Sequence, residues 1–496
     1  MMNAQTICLT IGLIIVAGTA WGQVEVEWER TYGGGAFDGC FSMIQTNSGG
    51  FALGGYTSSF GSGGDDFWIL CSNENGDSLW ANSFGTGTDE WCNSMLQKEN
   101  GEIILGGQGQ KTGEDALDML LMGISESGDS LWSRYYGAEG YDRCLSHIQT
   151  SDGGFALSGQ TISLGAETSD FLLLKADDNG DSLWAKTYGG ESDELCFSII
   201  ESSNNCLLLG GWTDSFGEDN KDAWIICVNA EGDSLWSQTL GGAGTDVCSS
   251  VKECTDGGFV CAGWTSLPHE NGTDYWLARL AGDGELMWMK TYEGGDGDIC
   301  TEVMEASGSG FVLAGLTHLP NQNNDDCFMV RTDENGELLW SAVLGNELDN
   351  WCFEAVHTRD GGYAMGGWCG DVINWNMDFY LVKTTPDPNS VRDPGSTLNP
   401  LTFNLYPAFP NPFNSTVTIP FGLDKSAPTR LAIFDPLGRR VAELIPNGYP
   451  PFNSPPASMG GKYSVIWDAK GMPAGQYIVK LQSGQSQATS KISVIK

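Results

Sequence analysis

Short apolar segments alternate with turns rich in Gly, Asn and Asp along most of the chain. Residues 142–190 contain four such segments, each ending at a polar turn or loop: 144–150, 155–161, 171–176 and 182–188. Runs of this length, bounded by residues that tolerate positive φ, are typical of β-strands joined by hairpins. The pattern predicts an all-β fold with four antiparallel strands in each unit.

The unit recurs seven times with a period of 52 residues and without an insertion or deletion. A tryptophan keeps this spacing at Trp28, Trp80, Trp132, Trp184, Trp236, Trp288 and Trp340. A cysteine keeps it at Cys40, Cys92, Cys144, Cys196, Cys248, Cys300 and Cys352. Four strands in a unit of this length are typical of a propeller blade. We therefore predict a seven-bladed β-propeller over residues 23–384.

The two ends of the array predict how it closes. The seventh unit stops after its third strand, at Lys383, and residues 24–28 supply an unmatched strand before the first unit. Pairing the two would remove an exposed sheet edge. We expect the N-terminal strand to close the ring. The alternative is an open solenoid, which should have atypical capping units at both ends.

Two local patterns resemble known repeats. Residues 175–184, Lys-Ala-Asp-Asp-Asn-Gly-Asp-Ser-Leu-Trp, resemble the tryptophan-docking repeat of quinoprotein propellers. The units as a whole resemble β-propeller repeats of bacterial surface proteins that contain Asp-Gly-Gly-Phe and Asn-Gly-Asp-x-x-Trp. Both resemblances imply blades packed through tryptophan, and neither implies a particular activity.

The segments outside the repeats predict export and a second domain. Residues 1–22 contain an apolar run, 7–20, that ends in small residues, which is the pattern of a cleavable signal peptide. No later segment is long and apolar enough for a transmembrane helix. Residues 385–402 are Pro-rich and predict an extended linker. Residues 403–496 contain no Cys and alternate like strands, which predicts a small β-sandwich.

The tail carries several short motifs in a fixed order. Their residues are Tyr406, Pro407, Pro410, Asn411, Pro412, Asp435, Gly438, Arg439, Gly475, Tyr477 and Lys496. The set resembles the type A C-terminal sorting domain of type IX secretion. The resemblance implies an immunoglobulin-like sandwich that the type IX secretion machinery recognises. It also implies a protein that is secreted from, or attached to the outer surface of, a Gram-negative bacterium. A sandwich used only as a spacer is the alternative.

The chain is strongly acidic, with 64 Asp and Glu against 24 Lys and Arg and a formal charge of −40. Such a surface repels nucleic acid and anionic lipid and attracts cations. Seven aspartates lie just before the first strands: Asp38, Asp89, Asp142, Asp193, Asp246, Asp298 and Asp349. As a ring they could hold a cation, with Ca²⁺ as the candidate cofactor. Turn capping by the same side chains is the simpler interpretation.

The repeated cysteines also allow a functional and a structural interpretation. They could bind a soft metal or pair across blades. Buried free cysteine is also a small apolar filler where strands crowd together. We favour the filler.

Deviations from the repeat are the better guide to function. Aromatic residues occupy some units only, and the seventh unit adds Asp and Asn in its loop. The candidate ligand-binding residues are Trp91, Trp351, Trp368, Asp371, Asn374 and Trp375. Aromatic faces suit the C–H faces of sugars, so we expect a glycan or a surface protein as the ligand. Filling of gaps between blades is the alternative for each ring.

The sequence contains no Gly-x-Ser-x-Gly, zinc or nucleotide motif. We therefore expect a binding, adhesion or structural protein rather than an enzyme. An extracellular polysaccharide hydrolase or lyase is the alternative, because the many acids offer many carboxylate pairs and spacing does not choose among them.

Overall fold

The computed structural model describes residues 24–111, 116–164, 168–217, 220–266, 272–320, 324–371, 376–389, 404–405, 416–423, 429–436, 439–448, 461–470, 472–483 and 486–494. The chain divides into two compact units, residues 1–394 and 395–496. All described regular structure is β, which confirms the predicted all-β class. No helix in these ranges has the length and apolar character of a membrane span. The predicted signal peptide and most of the predicted linker lie outside them.

Seven four-stranded antiparallel sheets make up the described part of the first unit. Sheet 1 contains β2 (Asp38–Gln45), β3 (Phe51–Thr57), β4 (Asp66–Ser72) and β5 (Ser78–Phe84). Sheet 2 contains β6 (Trp91–Gln97), β7 (Ile103–Gln110), β8 (Leu117–Ile124) and β9 (Ser130–Tyr136). Sheet 3 contains β10 (Asp142–Gln149), β11 (Phe155–Thr161), β12 (Asp170–Ala176) and β13 (Ser182–Tyr188). Sheet 4 contains β14 (Glu194–Glu201), β15 (Leu207–Thr213), β16 (Asp222–Val228) and β17 (Ser234–Leu240).

The remaining sheets follow the same order. Sheet 5 contains β18 (Thr245–Glu253), β19 (Phe259–Ser266), β20 (Thr273–Leu280) and β21 (Leu286–Tyr292). Sheet 6 contains β22 (Gly297–Glu305), β23 (Phe311–His318), β24 (Asp325–Thr332) and β25 (Leu338–Leu344). Sheet 7 contains β26 (Asp349–His357), β27 (Tyr363–Asp371), β28 (Asn376–Thr384) and the N-terminal β1 (Val26–Tyr32). Repeated four-stranded antiparallel sheets, as the 52-residue pattern predicts, are therefore present.

The N-terminal strand belongs to the last sheet. β1 pairs antiparallel with β28, from Val26 opposite Thr384 to Tyr32 opposite Phe379. Sheet 7 also packs on sheet 1, where the ring centroids of Trp68 and Phe379 are 4.3 Å apart. The first and last parts of the repeat array are thus in direct contact.

The repeated cysteine marks a β-bulge. In every sheet the pairing of the first and second strands shifts register just after it, as between Cys40 and Ser42. Gly55 lies opposite this bulge, where a Cβ would overlap the carbonyl oxygen of Gly39. The seven repeated cysteines are fully buried, and the described cysteines are all free thiols. These contacts support the interpretation of the cysteine as a small filler.

The repeated tryptophan docks on a turn of the next sheet. The Trp28 indole lies against Gly76, whose φ of 77° is in the left-handed region. Tyr32 Oη donates to the Gly76 carbonyl oxygen at 2.5 Å. A side chain at the glycine would collide with the indole. The same pairing recurs at Trp80–Gly128, Trp132–Gly180, Trp184–Gly232, Trp236–Gly284 and Trp288–Gly336.

A buried side chain caps the turn before each first strand. Asp38 accepts a hydrogen bond from Gly34 N at 2.7 Å, and Glu194 accepts one from Gly190 N at 3.1 Å. The same bond is made by Glu90, Asp142, Asp246, Asp298 and Asn350. Each cap satisfies a backbone donor that would otherwise lack a partner.

Most of these caps lie beside a second acid, which belongs to the third strand of the preceding sheet. A Cβ at Gly189 would overlap Asp170 Oδ1 and would lie 2.5 Å from Glu194 Oε2, so the two carboxyls meet beside this glycine. The same arrangement brings together Asp66–Glu90, Asp118–Asp142, Asp222–Asp246 and Asp378–Asp38. Burial, with the charge and hydrogen bond of Glu194, raises the pKa of Asp170 to about 6. The Asp170–Glu194 pair therefore favours a protonated Asp170.

The described part of the second unit consists of two sheets. One contains β29 (Asn404–Leu405), β30 (Thr416–Leu423) and β33 (Gly461–Asp468). The other contains β31 (Thr429–Phe434), β32 (Arg440–Gly448), β34 (Gly475–Ser483) and β35 (Ser486–Val494). Side chains of both sheets form one apolar core, in which Ile419 and Trp467 meet Ile433 and Val479.

The buried cysteines should be unreactive in the folded protein. Burial raises the pKa of Cys92 and of Cys196 to about 12, and the thiolate is the form that reacts. We expect iodoacetamide at pH 8 to label the half-exposed Cys206 and to leave the seven repeated cysteines unmodified, as read by peptide mass spectrometry. Rapid labelling of Cys92 without denaturant would contradict this packing.

The carboxyl pairs predict an unusual pH dependence. A raised folded pKa means that the stability contributed by Asp170 is complete below the unfolded value of about 3.9 and is lost as the pH rises through about 6. Glu194→Gln removes one charge and keeps an oxygen for the Gly190 amide. We expect this change to raise Tm by about 2 °C at pH 7.5 and to have little effect at pH 5, measured by scanning calorimetry.

The matched control is Glu191→Gln, which removes an exposed carboxylate from the same turn. A lower Tm of Glu194→Gln at pH 7.5, or an equal rise in the control, would contradict the account of the pair.

Candidate functional site

The seven aspartates singled out from the sequence occupy two different structural positions. Asp38, Asp142, Asp246 and Asp298 are the buried caps. The other three lie one residue before the cap position and accept hydrogen bonds from backbone amides of the preceding sheet: Asp89, Asp193 and Asp349. Within the described ranges no three Asp, Glu, His or Cys side chains come together as a metal site. Four of these aspartates therefore cap turns, and the other three link adjacent sheets.

Aromatic side chains of sheets 7, 1 and 2 form one continuous cluster. Its members, hereafter the aromatic arc, are Phe37, Phe41, Tyr56, Trp91, Trp351, Phe353 and Trp368. Trp91 stacks on Tyr56 at 5.1 Å between ring centroids, and Trp351 stacks on Trp368 at 4.5 Å. Phe37 joins the two halves through Tyr56 at 5.4 Å and Trp368 at 6.2 Å. Three of the aromatic candidates from the sequence thus meet in one place.

The two outer tryptophans of the aromatic arc are held by carboxylates. Trp91 Nε1 donates to Asp65 Oδ2 at 3.1 Å, and Trp351 Nε1 donates to Asp325 Oδ2 at 2.8 Å. Both indoles remain partly exposed, whereas Trp368 is only 5% exposed beneath Trp351. Trp91 and Trp351 therefore offer surface to a ligand, and Trp368 supports one of them.

Polar side chains lie next to the aromatic arc, in sheets 2 and 3. Gln108 Nε2 donates to Tyr141 Oη at 3.1 Å, and Arg143 Nε donates to Gln160 Oε1 at 3.1 Å. Sequence reasoning also selected the loop of the seventh unit. There Asp371 ends β27 and is partly exposed, while Asn374 and Trp375 lie outside the described residues.

A second site, which sequence reasoning missed, lies among the first strands. A cavity of about 430 Å³, hereafter the first-strand cavity, is lined by charged and apolar residues of β2, β6, β18, β22 and β26. Its charged lining includes Lys252, Glu302 and Glu354, and Lys252 Nζ lies 2.8 Å from Glu302 Oε1. Burial and the charge of Glu302 raise the pKa of Glu354 well above its usual range, although Lys252 opposes them.

A signal for this site is present in the repeats. The position occupied by Glu302 and Glu354 in the last two units is serine in the first five: Ser42, Ser94, Ser146, Ser198 and Ser250. Comparing the seven units at that position would have selected the two glutamates.

Four of the tail candidates lie among the described residues of the second unit. Asp435 accepts from Arg439 N at 2.9 Å and from Arg439 Nε at 2.7 Å. Tyr477 Oη donates to Pro473 O at 2.8 Å and packs on Trp467, and Gly475 begins β34. The other tail candidates lie outside the described residues: Tyr406, Pro407, Pro410, Asn411, Pro412, Gly438 and Lys496.

Comparisons with known proteins cover the two units unequally. A regulatory protein of Caulobacter vibrioides, FlaEY, is 25% identical over 170 residues, which are 30% of this chain and 18% of that protein. This chain therefore spans less than a fifth of that relative.

Two solved structures align with this chain at low identity. A fungal alcohol oxidase of the AA5 family in complex with copper is 12% identical, with 95% of this chain and 99% of that chain covered and a TM-score of 0.44. A β-1,2-mannobiose phosphorylase from Listeria innocua is 9% identical, with 62% and 92% covered and a TM-score of 0.28. Neither likeness supports an argument about function.

The tail has a clear relationship to a known family. The family model of the secretion system C-terminal sorting domain matches residues 407–496. The match confirms the resemblance inferred from the motifs, and it implies an interaction with the type IX secretion machinery. Residues 407–496 are a type IX secretion C-terminal sorting domain, and the protein is therefore secreted or attached to the outer cell surface.

Proposed function

We propose that the first unit is a closed seven-bladed β-propeller that binds glycans through the aromatic arc. Three contacts support the closed ring. β1 completes sheet 7, Trp28 of that sheet docks on Gly76 of sheet 1, and each first strand contacts the next, including β26 with β2. Closure leaves no sheet of the array without a neighbour on either side.

One observation carries the glycan proposal: at the position just before the repeated cysteine, an aromatic residue is present only in sheets 7 and 2, on either side of sheet 1. The position of Trp91 and Trp351 is held elsewhere by Gly39, Arg143, Leu195, Val247 and Ile299. Packing alone does not require indoles there, because these other residues serve equivalent sheets. Indole faces beside carboxylate and amide groups match a sugar, which has apolar C–H faces and hydroxyl groups.

The site favours binding over turnover. The exposed indoles are fixed by Asp65 and Asp325 through their N–H groups, so these carboxylates orient the rings. The protein would then act as a binding or adhesion module at the cell surface. Cleavage of a polysaccharide by a hydrolase or lyase mechanism is the competing function, and the same experiment decides between them.

Removal of an exposed indole should weaken glycan binding. We expect the full chain to retain members of a polysaccharide panel in affinity electrophoresis. Trp91→Ala and Trp351→Ala should each weaken that retention by about tenfold or more, because each deletes a stacking surface. Phe216→Ala is the control, since Phe216 is 43% exposed between β15 and β16 and lies outside the aromatic arc.

Product release is followed in the same samples by chromatography. Retention that survives both tryptophan changes would contradict the aromatic arc as the binding surface. Release of oligosaccharides that a single Asp or Glu substitution abolishes would establish the competing enzymatic function.

A further inference from the structure

The first-strand cavity is lined by residues that differ from their equivalents in the other units. At the serine position of three first strands, the hydroxyl oxygen accepts from a backbone amide of the next sheet, as Ser42 Oγ does from Met95 N at 3.1 Å. Ser198 Oγ accepts in the same way from Val251 N at 3.2 Å. This serine therefore has a packing role. Glutamate at residues 302 and 354 replaces it with a longer, charged side chain, so packing does not account for the change.

Lys252 is a third departure from the repeat. Its equivalents are apolar: Ile44, Leu96, Ile148, Ile200, Met304 and Val356. Lys252 pairs with Glu302, which also accepts a hydrogen bond from Ser250 Oγ at 2.9 Å. Its charge is therefore matched by Glu302.

Since Lys252 is paired with Glu302, Glu354 makes no ion pair within the described residues. Its half-buried carboxyl lines the cavity and accepts no hydrogen bond from the rest of the described chain. The lining contains one lysine and four glutamates, so carboxyl groups outnumber the cationic side chain. An ionised carboxylate in such a place is costly unless a partner is supplied.

The walls of the first-strand cavity are apolar beside these charges. Met43, Met95 and Met304 line it, and each is less than 10% exposed. Methionine side chains are flexible and polarisable, so they adapt to the shape of an alkyl chain. A cavity of about 430 Å³ lies in the range that holds small organic molecules.

Other classes of ligand fit less well. A Ca²⁺ ion requires six to eight oxygen ligands, and the described residues contain no cluster of three ligating side chains. An anion would have to displace Glu302 from Lys252 and would then face Glu354. An organic cation needs one carboxylate and an apolar wall, and the cavity offers both.

We propose that the first-strand cavity binds a small organic ammonium ion, with the ammonium group on Glu354 and the alkyl part against Met43, Met95 and Met304. The cavity shares no residue with the aromatic arc. The proposal can therefore be tested independently of glycan binding.

The test is calorimetric titration of the full chain with n-hexylammonium at pH 8. We expect measurable binding, with a Kd at least tenfold weaker in Glu354→Ser, which installs the residue that the first five units carry. Glu354→Gln should give the same loss while keeping the side-chain size. Glu191→Gln removes an exposed charge elsewhere and should leave Kd unchanged, which controls for the general acidity of the surface.

Hexanoate and Ca²⁺ serve as competing probes. Absence of hexylammonium binding, or binding of equal strength in both Glu354 variants, would overturn the proposal. Hexanoate binding that Lys252→Met abolishes would show an anion site instead. Displacement of hexylammonium by millimolar Ca²⁺ would show a metal site. Neither result would affect the glycan experiment, which reports on other residues.

Discussion

The antiparallel pairing of β1 with β28 is the contact on which the arrangement of the first unit depends. It joins residues from opposite ends of the array: Glu25 N donates to Thr385 Oγ1 at 3.0 Å across 360 positions of sequence. Because the entropic cost of closing a loop grows only slowly with its length, one paired strand can tie such a long segment. The same strand carries Trp28 to the turn at Gly76 and covers the edge that β28 would otherwise expose.

The regular packing that follows assigns most of the conspicuous residues to architecture. The cysteine and the glycine opposite it pack at the bulge. The tryptophan of the outer strand docks on the next sheet, and the buried acid caps a turn. Function is therefore expected where units differ. The aromatic arc occupies three neighbouring sheets, and the first-strand cavity collects Lys252, Glu302 and Glu354 from three units that depart from the repeat. The sorting domain adds the destination of the protein and does not depend on either site.

Much of this could be predicted from the sequence, and the remainder has physical reasons. Turn residues and apolar runs recur at fixed spacing, so strands and units were evident. The sequence does not show which acid caps the turn, because adjacent positions both carry acids. In sheets 2 and 4 the caps are Glu90 and Glu194, and the aspartates singled out, Asp89 and Asp193, precede them. In the sequence Trp351 and Trp368 are equivalent candidates for ligand binding. Only the packing shows that Trp368 lies beneath Trp351. Glu302 and Glu354 are marked in the sequence by the loss of the repeated serine, but only the structure shows that Lys252 of another sheet lies beside them.

Hydrogen–deuterium exchange of β1 tests the central claim most directly. If residues 26–32 complete sheet 7, about half of their amides, those that donate to β28, should exchange as slowly as the amides of β28 itself. The other amides of this edge strand should exchange quickly. Full exchange of residues 26–32 within seconds, with β28 still protected, would show that β1 is unpaired and would contradict the closed ring.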